Sequence, residues 1–188
     1  MQIDIIPHQS IWLDNFERLK EQLQDILSVA SDKILHVGST SIPRLWAKPI
    51  LDIDIVIEDR SLLTALIAKL EKAGYEYRGD QGVPGRFAFR QRSTQVPLTQ
   101  AKKIWQAHHL YACFADALAL KNHILFKEAL LNNPILIDQY NQLKRSLVDE
   151  ANITREEYTK RKTTFILSVL SQSGLTQEEL KEIEAANR

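Results

Sequence analysis

The sequence predicts an α+β fold: a mixed β-sheet flanked by helices on one side, then a helical C-terminal part. Three observations predict it. Ile11, Trp12, Phe16, Leu19, Leu23, Ile26 and Leu27 recur at helical spacing. Residues 50–57 alternate strictly, with Ile50, Asp52, Asp54 and Val56 on one strand face and Leu51, Ile53, Ile55 and Ile57 on the other. The succession reads α-β-β-α-β-β-β and is helical throughout from Asp116. No repeat or long linker interrupts it, so residues 1–188 form one domain, with a sheet core over 1–115 and helices over 116–188.

The elements follow in order. Ser10 can cap a helix over residues 10–30. The apolar run 34–37 is a strand that ends at Gly38. Residues 39–49 carry Ser39, Thr40, Ser41, Pro43 and Pro49, which suit a loop or a short helical start. The alternating strand 50–57 comes next, then a helix over 61–72 stopped by Gly74. A strand over 75–77, a glycine-rich turn over 79–85 and a strand over 86–90 follow, the last with Arg86, Ala88 and Arg90 on one side. The polar stretch 91–103 is a hairpin loop leading to a strand over 105–114. Helices are predicted over 116–132, 134–150, 155–171 and, as a charged terminal segment, 176–188.

Composition removes several classes of function. The chain is 44% hydrophobic and 26% charged, which suits a globular core and not a disordered or fibrous chain. The single cysteine, Cys113, excludes an intrachain disulfide and fits a reducing compartment. No apolar run approaches the roughly 18 residues of a membrane span, and Met1–Asp4 lacks a basic start, so a cytoplasmic protein with no membrane partner is expected. The 24 basic and 24 acidic residues balance, which argues against general nucleic-acid binding. A homodimer is left open.

The strand over 50–57 carries the chemistry. Asp52 and Asp54 project from one face, roughly 6–7 Å apart at their Cα atoms, close enough to share hard cations. Burying both without cations would cost several kcal/mol or raise one pKa. Gly38 lets backbone approach a phosphate, and the Ser39 hydroxyl can hydrogen-bond it. The alternative, an acidic strand face turned to solvent, stays open on these residues alone.

His36-Val37-Gly38-Ser39-Thr40-Ser41-Ile42-Pro43, followed by Ala47-Lys48-Pro49-Ile50-Leu51-Asp52-Ile53, resembles the signature of the GrpB family (UPF0157). The resemblance continues through Trp12, Phe16, Gly74-Tyr75, Pro134, Tyr140, Leu143-Lys144, Tyr158, Lys162 and Phe165-Ile166. That family resembles nucleotidyltransferases of polymerase-beta type, with Gly-Ser, a short helix, then Asp-x-Asp. The resemblance implies a nucleotidyltransferase-like sheet. It also implies Mg²⁺-dependent transfer of a nucleotidyl group from a nucleoside triphosphate to a small-molecule or protein acceptor. Asp52 and Asp54 would hold two Mg²⁺ ions, and Gly38 and Ser39, with Thr40, Ser41 and Lys48, would cradle the phosphates. The strand expected to supply a third carboxylate reads His108-His109-Leu110-Tyr111-Ala112-Cys113. His109 matches a family histidine and could act as base or ligand; Tyr111 replaces a second one. Arg44 stands where the family usually has glycine, and Lys127 where it usually has arginine. The missing acid keeps a second reading in play, a catalytically inactive nucleotide- or phospholigand-binding module.

Arg86 and Arg90 are further candidates for a polyanion site beside the acids. His36 reads as a hydrogen-bonded structural histidine, His8 and His123 show no partner pattern, and Cys113 reads as a buried, inert thiol. Lys144, Tyr158 and Lys162 either close over a nucleotide or decorate a solvent face.

Overall fold

The computed structural model describes residues 4–150 and 153–186. Five strands, β1 (Ile34–Val37), β2 (Leu51–Ile57), β3 (Glu76–Tyr77), β4 (Arg86–Arg90) and β5 (His108–Phe114), form one sheet in the order β1-β2-β5-β4-β3. Only β2 and β5 run parallel; the other neighbours are antiparallel. The α+β expectation holds.

The alternation of β2 sets the layers. Leu51, Ile53 and Ile55 are fully buried and join one core with Trp12, Phe16, Leu19, Leu23 and Leu27 of α1 (Ile11–Leu27) and Leu66 and Leu70 of α2 (Leu63–Lys72). Each such aliphatic side chain taken from water stabilises the fold by about 1.5–3 kcal/mol. The acid-bearing face is covered as well, by α3 (Leu118–Asn132), where Lys127 Nζ donates to the His36 carbonyl at 2.8 Å. Helices therefore flank both faces, and the expectation of one helical side is corrected. The contacts of α3 with this face are polar, His123 to Asp54 and Lys127 to the His36 carbonyl, while its Leu118 and Leu130 pack against the other C-terminal helices.

The C-terminal part packs around α3. Ile42, Leu45, Leu130, Ile137, Tyr140 and Val169 form a second core between the 3₁₀ turn at Ser39–Ser41 and the helices α4 (Pro134–Asp149) and α5 (Arg155–Leu170). Tyr140 stacks on Phe165 with ring centroids 4.8 Å apart. A third cluster of Leu170, Leu175, Leu180 and Ile183 seats α6 (Gln177–Ala186).

Local differences from the sequence reading have local causes. Ser10 makes no side-chain cap, and α1 stops at Leu27 because Ser28 turns left-handed at φ 60°. Tyr75 is not in β3, since its N–H closes the end of α2 onto the Leu70 carbonyl. β5 begins at His108 and not at Trp105, whose indole Nε1–H donates back to the Pro97 carbonyl at 2.9 Å. Asn133 and Thr154 do cap α4 and α5, accepting from Ile135 N–H and Glu157 N–H. The last two residues of the expected 176–188 helix lie outside the described residues.

Candidate functional site

Register places the polar residues in rows across one face of the sheet. Asp52 lies opposite His109, which lies opposite Arg90, which lies opposite Glu76. One step along, Asp54 faces Tyr111 and then Ala88. A further step pairs Val56 with Cys113 and Arg86. The strand positions beside both aspartates are therefore His109 and Tyr111, and neither is an acid.

The two aspartates have different surroundings. Asp52 is one-third exposed, and its Oδ1 is 2.9 Å from His109 Nδ1. Asp54 is fully buried; its Oδ2 is 2.7 Å from His123 Nδ1 on α3, and its Oδ1 has no partner among the described residues. Burial presses His123 towards neutrality, but the charge and hydrogen bond of Asp54 outweigh that and leave its pKa raised. The face is thus neither open to solvent nor wholly sealed. His123, without a pattern in the sequence, is the partner that the buried acid uses.

Gly38 ends β1 at φ 68°, ψ −172°, a conformation that side chains rarely adopt. A Cβ there would sit 2.2 Å from Asp52 Oδ2, so the glycine lets the turn press directly on the carboxylate. The following hydroxyls divide. Ser41 Oγ donates to the Gly38 carbonyl at 2.8 Å, and Thr40 Oγ1 donates to the Ile50 carbonyl at 3.3 Å and accepts from His36 Nε2 at 3.0 Å. Both side chains are buried and these hydroxyls hold the turn in shape, with Thr40 also lining the wall beside Ser39. Ser39 remains half-exposed towards a cleft.

That cleft, about 210 Å³, is lined by Ser39, Lys48, Asp52, His109, Lys144, Tyr158 and Lys162, among others. Lys48, Lys144 and Lys162 thus share a cleft with the turn after Gly38, and the alternative of a solvent-decorating role for the last two falls away. Lys144 is almost wholly buried, donates to the Trp46 carbonyl and lies over the Tyr140 ring. Burial, with Lys162 nearby, pushes its pKa down to about 6. Lys162 is lowered too, by burial and by Lys48, with Asp52 opposing. Tyr158 carries both Lys48 and Lys162 against its ring, at 5.7 and 5.1 Å.

The two arginines do not line this cleft; they stand one strand further from the acid pair, Arg90 opposite His109 and Arg86 opposite Cys113. Arg90 is exposed near Glu76, which also holds Arg78 and Arg92, and it lines a shallow cavity with His109 and Tyr111. Arg86 lies over the Tyr111 ring at 4.6 Å and lines a separate pocket beside α3 and α6. His36 is structural, stacked on Phe16 at 4.5 Å, and burial drives its pKa down to about 3. Cys113 is buried and its thiol is pushed upward by burial, as an inert thiol requires. Arg44 takes φ 70°, a backbone conformation natural to the glycine usual there.

Comparisons with known proteins agree with this layout. A family profile described as "GrpB protein" matches residues 2–172. The UPF0157 protein YqkA of Bacillus subtilis is 26% identical over 165 residues, covering 88% of this chain and 45% of that protein. The glutamate-rich protein GrpB of Alkalihalophilus pseudofirmus is 24% identical over 172 residues, covering 91% and 95%. The crystal structure of GrpB from Enterococcus faecalis superposes with a TM-score of 0.74 at 29% identity, over 90% of this chain and 96% of that one. The Cid1 poly(U) polymerase, solved with MgGTP bound, superposes with a TM-score of 0.59 at 13% identity, over 87% of this chain and 50% of that one. At that identity the likeness is one of fold. This chain spans about half the length of YqkA and of Cid1.

Proposed function

The chain belongs to the GrpB family, and we propose that its cleft binds a nucleoside triphosphate with Mg²⁺ and passes the nucleotidyl group to an acceptor. One observation carries the reading: a glycine turn with no room for a side chain presses on Asp52 in a cleft lined by three lysines. Phosphate-binding backbone, a carboxylate for cations and charge for a polyanion thus meet in one place. The Cid1 fold likeness supports it.

The residues fit one Mg²⁺ ion. Asp52 is accessible, and the unpartnered buried Oδ1 of Asp54 is a hard oxygen that a cation would satisfy. Among the described residues no cluster of three ligating side chains forms, so water and phosphate oxygens would complete the coordination. A second ion would require the carboxylate that His109 and Tyr111 do not provide. When bound, the ion would neutralise charge on the phosphates. The chain's own residues do the rest. Ser39 and the turn orient the phosphates, while Lys48, Lys144 and Lys162 offset their charge. An acceptor oxygen bonds to the α-phosphorus as the bond to the bridging oxygen breaks, and the electron pair leaves with pyrophosphate. His109, oriented by Asp52 through Nδ1, takes the acceptor proton at Nε2.

A second reading, ligand binding without turnover, is favoured by Tyr111 opposite Asp54 and by the Asp54–His123 pair. Labelled ATP, GTP, CTP and UTP separate the two. Mg²⁺-dependent binding that disappears in Asp52→Asn, with pyrophosphate released, is the expected result. Binding without release supports the second reading, and equal affinity in Mg²⁺ and EDTA overturns both the metal assignment and the transfer.

A further inference from the structure

The pocket that holds Arg86 is distinct from the lysine-lined cleft. It encloses about 280 Å³ between the 79–85 turn, α3 and α6, and shares no lining residue with the cleft. Val83, Pro84, Leu118 and Ile183 give it apolar walls. Its polar groups are Arg86, Asn122, His123 and Glu182.

Arg86 is the unusual member. The Tyr111 ring fixes its guanidinium, yet its Nε is buried with no hydrogen-bond partner, and no carboxylate pairs with it among the described residues. Arg78, Arg90 and Arg92 on the neighbouring edge share Glu76, so a free cationic fork is not the local habit. A buried donor left unsatisfied is costly, and a guanidinium is shaped for a carboxylate or phosphate. Glu182 stands at the same pocket and would repel a ligand with several negative charges.

We propose that this pocket is a second small-molecule site, taking a ligand with one anionic end group on Arg86 and an apolar body against Val83, Leu118 and Ile183. An occupant would also touch His123, the partner of Asp54, so the pocket reaches the buried acid through that histidine, apart from the lysine-lined cleft.

The site is tested on the full chain without Mg²⁺ or nucleotide, using hexanoate, hexanol and inorganic phosphate as probes and NMR of the His123 ring and Leu118 methyls as readout. Hexanoate is expected to shift both sets of resonances saturably, with hexanol and phosphate weaker by about tenfold or more, because each lacks half of the recognition. Arg86→Gln should weaken hexanoate by about tenfold. Ala185→Trp, which leaves Arg86 in place and fills the cavity, should abolish binding and decides the matter if the Arg86 variant does not fold. The proposal is overturned if hexanoate gives no saturable shift, if hexanol binds as well as hexanoate, or if binding survives the Ala185 variant.

Discussion

Replacing Gly38 with alanine tests the contact on which the cleft depends. At φ 68°, ψ −172° the backbone occupies a region essentially reserved for glycine, and forcing alanine into it costs about 1–3 kcal/mol. The new Cβ would lie 2.2 Å from Asp52 Oδ2 and 2.9 Å from its Cβ and Cγ, so the aspartate or the turn must shift. Moving Asp52 breaks its hydrogen bond to His109, a loss of only about 0.5–1 kcal/mol because that histidine is half-exposed. A total destabilisation of about 2–4 kcal/mol lowers the melting temperature of a chain this size by about 5–12 °C. Gly79→Ala is the control: its φ is 70° but nothing lies within 4 Å of the added carbon, so it carries backbone strain alone, about 1–2 kcal/mol. Thermal melts and calorimetric titration with MgATP should show Gly38→Ala melting well below Gly79→Ala and losing nucleotide affinity that the control keeps. If the two variants melt together and both bind nucleotide like the parent chain, the pressed turn has no functional weight and the reasoning fails.

Three further outcomes follow from the buried titrating groups. His36 and His108, pushed by burial down to about 3 and about 4, stay neutral in the fold while the unfolded chain protonates below its ordinary 6.5. Stability is therefore level above that pH and falls below it by about 1.4 kcal/mol per pH unit for each histidine, a slope that urea titrations should find reduced by one proton in His36→Gln. His123 has the opposite sign: its contribution is complete below 6.5 and fades as pH rises through its raised value. Removing it with His123→Ala leaves Asp54 buried and unpaired, which should cost about 3–5 kcal/mol in urea unfolding, whereas Asp54→Asn should cost less because the amide oxygen still accepts from the ring. Lys144, held near 6, is mostly neutral at pH 8, so triphosphate binding should recharge it; calorimetry in buffers of different ionisation enthalpy should detect proton uptake that Lys144→Met abolishes with stability changed by about 1 kcal/mol or less.

The strand that carries the acids was legible because its period of two is written in eight consecutive residues, and the helices because their apolar spacing is regular. What escaped the sequence lies in contacts between distant segments. His123 sits 69 residues from Asp54, on a helix whose apolar residues surround the axis, so no face marked the histidine as inward. The covered acid face was missed for the same reason. Lys144 did carry a signal: Ile137, Tyr140 and Leu147, the buried positions of α4, share its helical stripe, and a lysine in a core stripe demands an explanation. The turn at Gly38 was legible in the glycine and serine that end the first strand. The bonds of Thr40 and Ser41 were not legible, because a local sequence does not reveal that His36 and the carbonyls of Gly38 and Ile50 engage their hydroxyls.

The pairing of each aspartate with a different histidine bears on what the site can do. Two carboxylates on one strand face repel unless cations or donors intervene, and here each has its own donor, one from the neighbouring strand and one from α3. Each acid is therefore held by the protein's own side chains. His109 is half-exposed and can adjust its bond to Asp52 at little cost, whereas His123 and Asp54 cannot separate without leaving a buried charge behind. An incoming cation would thus meet Asp52 first and reach Asp54 only through its unpartnered oxygen, with the His123 bond intact. Ion binding should then perturb the His109 ring far more than the His123 ring, a difference that Mg²⁺ titration followed by imidazole NMR reads directly. Equal displacement of both rings would show that the two acids act as a symmetric pair and that Asp54 is no fixed anchor.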